Sequence, residues 1–301
     1  MDISITPTIT SILVTYNHAK TIQKALDSML AQETNFSQKI LIADDCSTDG
    51  TSQICLDYAA RFPTRIEYIA KENNVGIVRN IYGGIQSISS EFFAVLEGDD
   101  YWCAPNKLQK QVDALRAHPE CSFCAHNTLS IDQNGNQQPL YTSKKHNIRE
   151  KYQFPERYRK RDIVKAHPSS RVFRSACLEL KNLKLKNSVV WDSSAYWYFL
   201  SKGSLFYFDE IMSVYNYTGI GAFSGSSKVR QRCMALLNLL NINEELNFEH
   251  NHIFMPRILR RSKLLNLSLW SRLKLRYNPQ KNMELYNSTR SQLETKLNKT
   301  R

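Results

Sequence analysis

Residues 91–100 read EFFAVLEGDD: five apolar side chains, Phe92 to Leu96, run directly into Glu97, Gly98, Asp99 and Asp100. A continuous apolar run of this length, too short for a helix, suits a strand buried on both faces. It stops on carboxylates. Upstream, RIEYIA (65–70), KILIADD (39–45) and ITSILVTY (9–16) repeat the pattern of a short β-branched run, the last two ending at Asp44–Asp45 and Tyr16–Asn17. The segments between them carry helical spacing. Ile22, Ala25, Leu26, Met29 and Leu30 follow Thr21, which suits an N-cap; residues 51–62 and 75–87 complete the set. Strand and helix thus alternate four times in a hundred residues, which predicts an α/β fold with a mostly parallel sheet between helices. Ligands of such sheets bind outside the carboxyl ends of the strands, so the three polar strand ends should converge on one crevice.

Downstream, residues 107–118 read as a further helix, residues 130–160 are polar and loop-like, and the chain from Lys228 onwards reads mostly as helix. Segment 256–277, PRILRRSKLLNLSLWSRLKLRY, interleaves Arg and Lys with Leu, Ile and Trp270. Such a helix can lie on an anionic membrane surface or pack on the protein with its charges solvated.

The 301 residues suit one core domain with a smaller appendage, and 42% apolar with 23% charged residues is ordinary for a globular chain. No apolar run reaches 18 residues, and the first residues show neither a basic leader nor a cleavage site, so a cytoplasmic location is expected. Seven cysteines form no regular framework; Cys121 and Cys124 make a lone C-x-x-C and are read as reduced thiols. A net charge of +12 favours anionic partners without choosing among them.

Four groups of residues carry chemistry. Asp44 and Asp45 end a strand before Cys46-Ser-Thr-Asp-Gly-Thr51, a turn leading into a helix. Carboxylates there can accept hydrogen bonds from a base or ribose; Ser47 and Asp49 are read instead as helix caps. Glu97, Asp99 and Asp100 would repel one another without a cation, and oxygen ligands of this kind suit Mg2+ or Mn2+. Arg79, beyond Asn73, Asn74 and Gly76, is placed to reach a phosphate or a strand-end acid. Asp192, the fourth, precedes SSAYWYFLSKG, an apolar helix for which it can serve as N-cap.

Taken in order, Thr15-Tyr16-Asn17, Asp44-Asp45-x-Ser-Thr-Asp-Gly-Thr, Asn74-x-Gly-x-x-Arg79-Asn80, Glu97-Gly-Asp-Asp-Tyr-Trp102 and Pro105-Asn-Lys-Leu108 resemble the family 2 glycosyltransferases of the GT-A fold. The resemblance implies a Rossmann-like catalytic domain over residues 1–225, with a donor half (1–127), an acceptor half (128–225) and a basic helical extension (226–301). It implies a nucleotide-sugar donor, UDP-linked by preference, a glycan or glycolipid acceptor, and an inverting transfer in cell-surface polysaccharide synthesis. By the same resemblance Thr15, Tyr16, Asp44, Asp45, Arg79 and Asp99 serve the donor. Asp100 holds Mn2+ or Mg2+, and Asp192 is the base. Relatives carry a His near the position of Thr218, which this chain lacks; His167, in HPSSRVFR (167–174), either touches substrate or packs.

Three rivals stand beside this reading. A nucleotidyltransferase would show a Gly-rich basic loop after its first strand, where this chain has only His18 and Lys20. A nucleic-acid binder would account for the charge, but no recognition motif accompanies it, and no nucleic-acid partner is expected. A non-catalytic sugar-nucleotide binder would differ from an enzyme in failing to hydrolyse the donor with Mn2+.

Overall fold

A computed structural model describes residues 6–142, 144–156, 162–179, 190–217, 225–262 and 283–298. The predicted alternation holds to within two or three residues. Strands β1 (Ile9–Thr15), β2 (Gln38–Asp44), β3 (Ile66–Ala70) and β4 (Phe92–Glu97) alternate with helices α1 (Ile22–Leu30), α2 (Thr51–Arg61) and α3 (Ile77–Gln86). They pair in parallel in the order β3-β2-β1-β4. β1 is buried at every position, as a central strand covered on both faces must be.

β5 (Tyr101–Trp102) and α4 (Lys107–Ala117) follow, then β6 (Cys121–Ile131), β7 (Gln137–Pro139), β8 (Lys151–Tyr152), β9 (Val172–Arg174), α5 (Trp191–Lys202) and β10 (Ser204–Asn216). β9 runs antiparallel between β4 and β6, and β6 pairs in parallel with β10. Two reversals restore the direction, so β6 and β10 point the same way as β1–β4. The sheet, ten strands among the described residues, is therefore mostly parallel, with short antiparallel pieces at β5, β7, β8 and β9.

The central core is aromatic. Phe173 on β9 stacks on Phe93 of β4 (5.0 Å between centroids) and Phe123 of β6 (5.7 Å), and meets Phe199 of α5 at 4.4 Å. Eight of the twelve residues of α5 are buried, so this helix lies inside the protein against the sheet, with its N-terminus fixed in place. Removing Phe173 or Phe199 would cost about 3–5 kcal/mol. Among the described residues, helices α6 (Lys228–Glu245), α7 (Asn251–Ser262) and α8 (Met283–Asn298) follow. Leu236, Leu240, Phe254, Ile258 and Leu293 join the same hydrophobic core as α5. Among the described residues no helix is long and apolar enough to cross a membrane.

Candidate active site

The carboxyl ends of β1, β2 and β4 meet as expected. Thr15 sits opposite Asp44, and Glu97 opposite Val14, so Asp45 and Asp99–Asp100 flank the end of β1. Two strand spacings separate them, on the order of 10 Å. Non-glycine residues in the left-handed region mark two of these strand ends, Asn17 (φ 58°) after β1 and Cys46 (φ 66°) after β2.

Each loop is tied to its neighbour. Thr15 Oγ1 lies 3.2 Å from His18 Nδ1, while Thr21 Oγ1 donates to the Gly98 carbonyl (2.8 Å). Thr21 occupies the N-cap position of α1 but spends its hydroxyl on this tie rather than on the helix. A Cβ on Gly98 would lie 2.7 Å from His18 Nδ1 and 2.9 Å from Thr15 Oγ1, so only glycine lets the β1 and β4 ends approach. Asp49 accepts from Thr51 N, Thr51 Oγ1 and Ala19 N, binding the β2–α2 turn to the β1–α1 loop. The cap position itself belongs to Gly50.

The two acids after β2 differ in role. Asp44 is fully buried and receives Ser47 N, Ser47 Oγ, Ser52 Oγ and Tyr68 Oη, so its oxygens are committed to protein donors. It shapes the loop from within. Asp45 accepts from the backbone N–H groups of Val75 and Gly76, both at 2.8 Å, and so joins the turn before α3 to the end of β2. Tyr16 is 44% exposed at the crevice edge, which leaves its ring open to a planar ligand. Arg79 is exposed on the first turn of α3, while its neighbour Asn80 is buried and donates to the Ala43 carbonyl (2.7 Å).

The Glu97–Asp100 turn is clamped by β10. Asn216 N donates to Asp100 Oδ1 (3.1 Å), Asn216 Nδ2 donates to the Asp99 carbonyl (2.5 Å), and β5 pairs with Ser213 and Val214. Lys107, also buried, supports β5 from beneath with its ammonium 4.1 Å from the Trp102 ring centroid. Burial, then the charges of Asp99 and Glu97, hold the Asp100 carboxyl well above the usual carboxylate range. The Glu97 carboxyl is likewise held up, by burial first and by Asp192 and Asp99 after it.

Asp192 arrives from α5. It is the second residue of α5, whose cap position is Val190, so it does not serve as the N-cap. Burial raises its carboxyl, while Arg171 and Lys165 act in the opposite sense. Arg171, buried, donates to the carbonyls of Asp192 (2.6 Å), Ala166 (2.7 Å) and Lys165 (2.9 Å). Ala166 takes a left-handed φ of 46° within this loop. His167 Nδ1 lies 3.7 Å from Asp100 Oδ2 and its ring packs on Tyr215. Burial and Arg171 push the imidazole down to about 3, so it is neutral and leaves the acids uncompensated.

This donor set fits a hard divalent cation. The charges of Asp99 and Asp192 raise the carboxyls of Glu97 and Asp100, Glu97 adds to the rise at Asp100, and the hydrogen-bond donor on Asp100 is a neutral backbone N–H. Among the described residues no three His, Cys, Asp or Glu side chains are arranged to hold an ion alone. One or two protein oxygens completed by substrate phosphates and water is the usual arrangement for Mg2+ and its relatives.

A model of the family described as "Glycosyl transferase family 2" matches residues 10–179, more than half of the chain. The chain belongs to glycosyltransferase family 2. Among curated relatives, the succinoglycan biosynthesis protein ExoO of Rhizobium meliloti is 32% identical over 111 residues, 37% of this chain and 30% of that one. The chain spans less than half the length of the first curated relatives it matches. Two solved structures share the fold. A mannosyltransferase from Pyrobaculum calidifontis, in complex with GDP-Man and Mn2+, superposes with a TM-score of 0.57 at 14% identity, over 98% of this chain and 88% of that one. TarS of S. aureus, in complex with UDP-GlcNAc, gives 0.53 at 16% identity, over 96% and 92%.

Within this family 2 chain, the crevice gathers Thr15, Tyr16, Asp45, Asp99 and Asp100 with Asp192. Glu97 was read together with Asp99 and Asp100 but given no role of its own, and Arg171 was not singled out in the sequence. Glu97 was legible as the first acid of its turn, whereas Arg171, in a segment without periodicity, was not. Thr218 lies outside the described residues, as does residue 263 onwards of the basic segment up to 277.

Proposed function

We propose that the chain transfers a sugar from a nucleoside diphosphate sugar to a hydroxyl of a glycan or lipid-linked acceptor, with inversion at the anomeric carbon. One observation carries this reading: Asp192, delivered by a buried helix of the acceptor half, shares its electrostatic environment with Glu97 and Asp100 from the end of β4. A base and a diphosphate-binding turn on opposite sides of one crevice is what displacement at a carbon between them requires.

In this reading Tyr16 and Thr15 line the nucleotide pocket and Asp45 accepts from the base. Asp99 meets the ribose and Arg79 the diphosphate. Asp44 acts indirectly, by shaping the loop that presents Asp45. Asp100 would hold Mn2+ or Mg2+, which supplies charge neutralisation for the departing nucleoside diphosphate. Asp192 takes the proton of the acceptor hydroxyl as its oxygen bonds to the anomeric carbon and the bond to the diphosphate oxygen breaks. The halves divide as donor (1–127) and acceptor (128–225), with residues 226–301 as a helical extension. UDP is the first choice of nucleotide, GDP the second, following the ligands of the two structural neighbours. The ExoO relationship supports a role in polysaccharide synthesis.

The test is donor hydrolysis across UDP-, GDP- and dTDP-sugars with and without Mn2+. Turnover of one donor class, lost on chelation, supports the reading. Absence of turnover with every donor, alongside intact nucleotide binding, would leave a sugar-nucleotide binder instead.

A further inference from the structure

Between α4 and β6, behind β5, lie three fully buried polar side chains that the proposed transfer does not use: Lys107, Gln111 and His126. The short connection from Ala117 to Cys121 sets α4 antiparallel to β6, and Cys124 Sγ donates to the Gln111 carbonyl (3.5 Å). Lys107 stands four residues back along α4, about 6 Å, and His126 two residues on along the same face of β6, roughly 7 Å. The two steps run the same way, so Lys107 and His126 face each other across the packing of helix on strand. Trp102 closes the group: Lys107 Nζ lies 4.1 Å from its ring centroid, and Trp102 and Thr128 pair with Ser213 from the two sides of β10. Each of the three side chains leaves one atom without a hydrogen-bond partner among the described residues: Lys107 Nζ, Gln111 Oε1 and His126 Nε2. Buried polar atoms are ordinarily paired, by protein or by water.

We propose that one enclosed water, accepting from Lys107 Nζ and donating to Gln111 Oε1 and His126 Nε2, seats the ammonium against Trp102, and that Lys107 is thereby a positioning residue for Asp100. This deepens the transferase reading above, on which the cation at Asp100 rests. The three atoms are complementary to a single water. Gln111 Nε2 donates to the Ser170 carbonyl (2.8 Å), which leaves Oε1 as the acceptor of that amide. His126 Nδ1 lies 2.7 Å from the Asn127 carbonyl, so Nδ1 carries the proton and Nε2 accepts. Burial, then Lys107, hold that imidazole well below its usual range and so neutral. Water donates twice and accepts, whereas chloride can donate to neither acceptor. Burial also presses the Lys107 ammonium down to about 7, and the water restores part of its lost solvation. The link to Asp100 runs through Trp102, two residues along the chain. Its indole N–H donates to the Ser169 carbonyl (2.9 Å), and Ser169 Oγ lies 2.8 Å from Nδ1 of His167, the imidazole near Asp100. A shift of the Trp102 ring therefore moves both the backbone leading from Asp100 and the imidazole packed near it.

Two measurements on the full chain test this. A crystal structure of the wild type, at a resolution that shows ordered water, should hold one water within hydrogen-bond distance of all three atoms. Mn2+ titration with UDP present then compares the wild type with Lys107→Met, which keeps the length of the side chain and removes the ammonium. The melting temperature of Lys107→Met should hold or rise, because a buried charge is gone. Its affinity for Mn2+ should fall about tenfold, as on loss of other groups that orient a metal ligand, while its affinity for UDP in metal-free solution stays at the wild-type value. No molecule between the three side chains, or an anion there, overturns the proposal. So does wild-type Mn2+ affinity in Lys107→Met. A fall of both affinities together with the melting temperature overturns the positioning role as well, since it marks a purely structural one. A wild type that takes up no Mn2+ removes the transferase reading instead, and the crystal still decides the water.

Discussion

At the scale of single residues, burial does most to set the chemistry. An exposed aspartate titrates near 3.9. Burial lifts Asp192 above that range even against Arg171 and Lys165, which makes it a stronger base once ionised. Transfer by the wild type should therefore fall as pH drops, starting above the range of an exposed aspartate. Asp192→Asn should lower kcat by about 10²–10⁴ with an unchanged melting temperature. Near-normal turnover by purified D192N protein would remove the base assignment. Glu97 offers a second test. Its folded carboxyl is held up, so the stability linked to it is present at low pH and lost as pH rises through the folded value. Glu97→Gln, free of metal, should melt higher than the wild type at pH 8 and equally at pH 4. A relief of about 1 kcal/mol corresponds to roughly 2–4 °C in a chain of this size. An unchanged midpoint at pH 8 would mean that the acids do not strain one another.

At the scale of elements, the strand ends are held by specific ties, and these can be broken singly. A methyl group on Gly98 meets His18, Ile22 and Thr15 at under 3 Å, so Gly98→Ala should cost about 1–3 kcal/mol in denaturant unfolding and reduce donor affinity as well. Asp44→Asn converts an acceptor of four protein donors into a mismatched amide and should destabilise by a similar amount, raising KM for the donor more than it lowers kcat. A wild-type KM in D44N protein would show that the loop does not depend on this carboxylate. Much of this level was legible in the sequence. β1 to β4 and their helices lie within two or three residues of where apolar runs and helical spacing put them, because β1, β2 and β4 are buried over most of their length and each pattern is local. Loop bonding was not legible. The spacing Asp44–Ser47–Ser52 does not disclose that one carboxylate is consumed internally while its neighbour Asp45 bridges to Val75 and Gly76.

At the scale of the whole molecule, the second half of the sheet was the harder part to read. β9 has three residues and reverses direction, and β6 mixes His126, Asn127 and Thr128 into a buried strand. Asn127 and Thr128 are tolerated because Asn127 bonds the Tyr141 carbonyl and Asp209, and Thr128 pairs with Ser213, contacts available only once the sheet has formed. The same long-range assembly brings Asp192, nearly a hundred residues from Asp100 in sequence, into the field of the strand-end acids. The central claim is that this assembly takes up one divalent cation together with a nucleoside diphosphate. Mn2+ titration followed by the electron paramagnetic resonance of the free ion, with UDP or GDP present, tests it most directly. The wild type should remove about one equivalent of Mn2+ and Asp100→Asn almost none. Equal uptake by both proteins, or none by either, would contradict the claim.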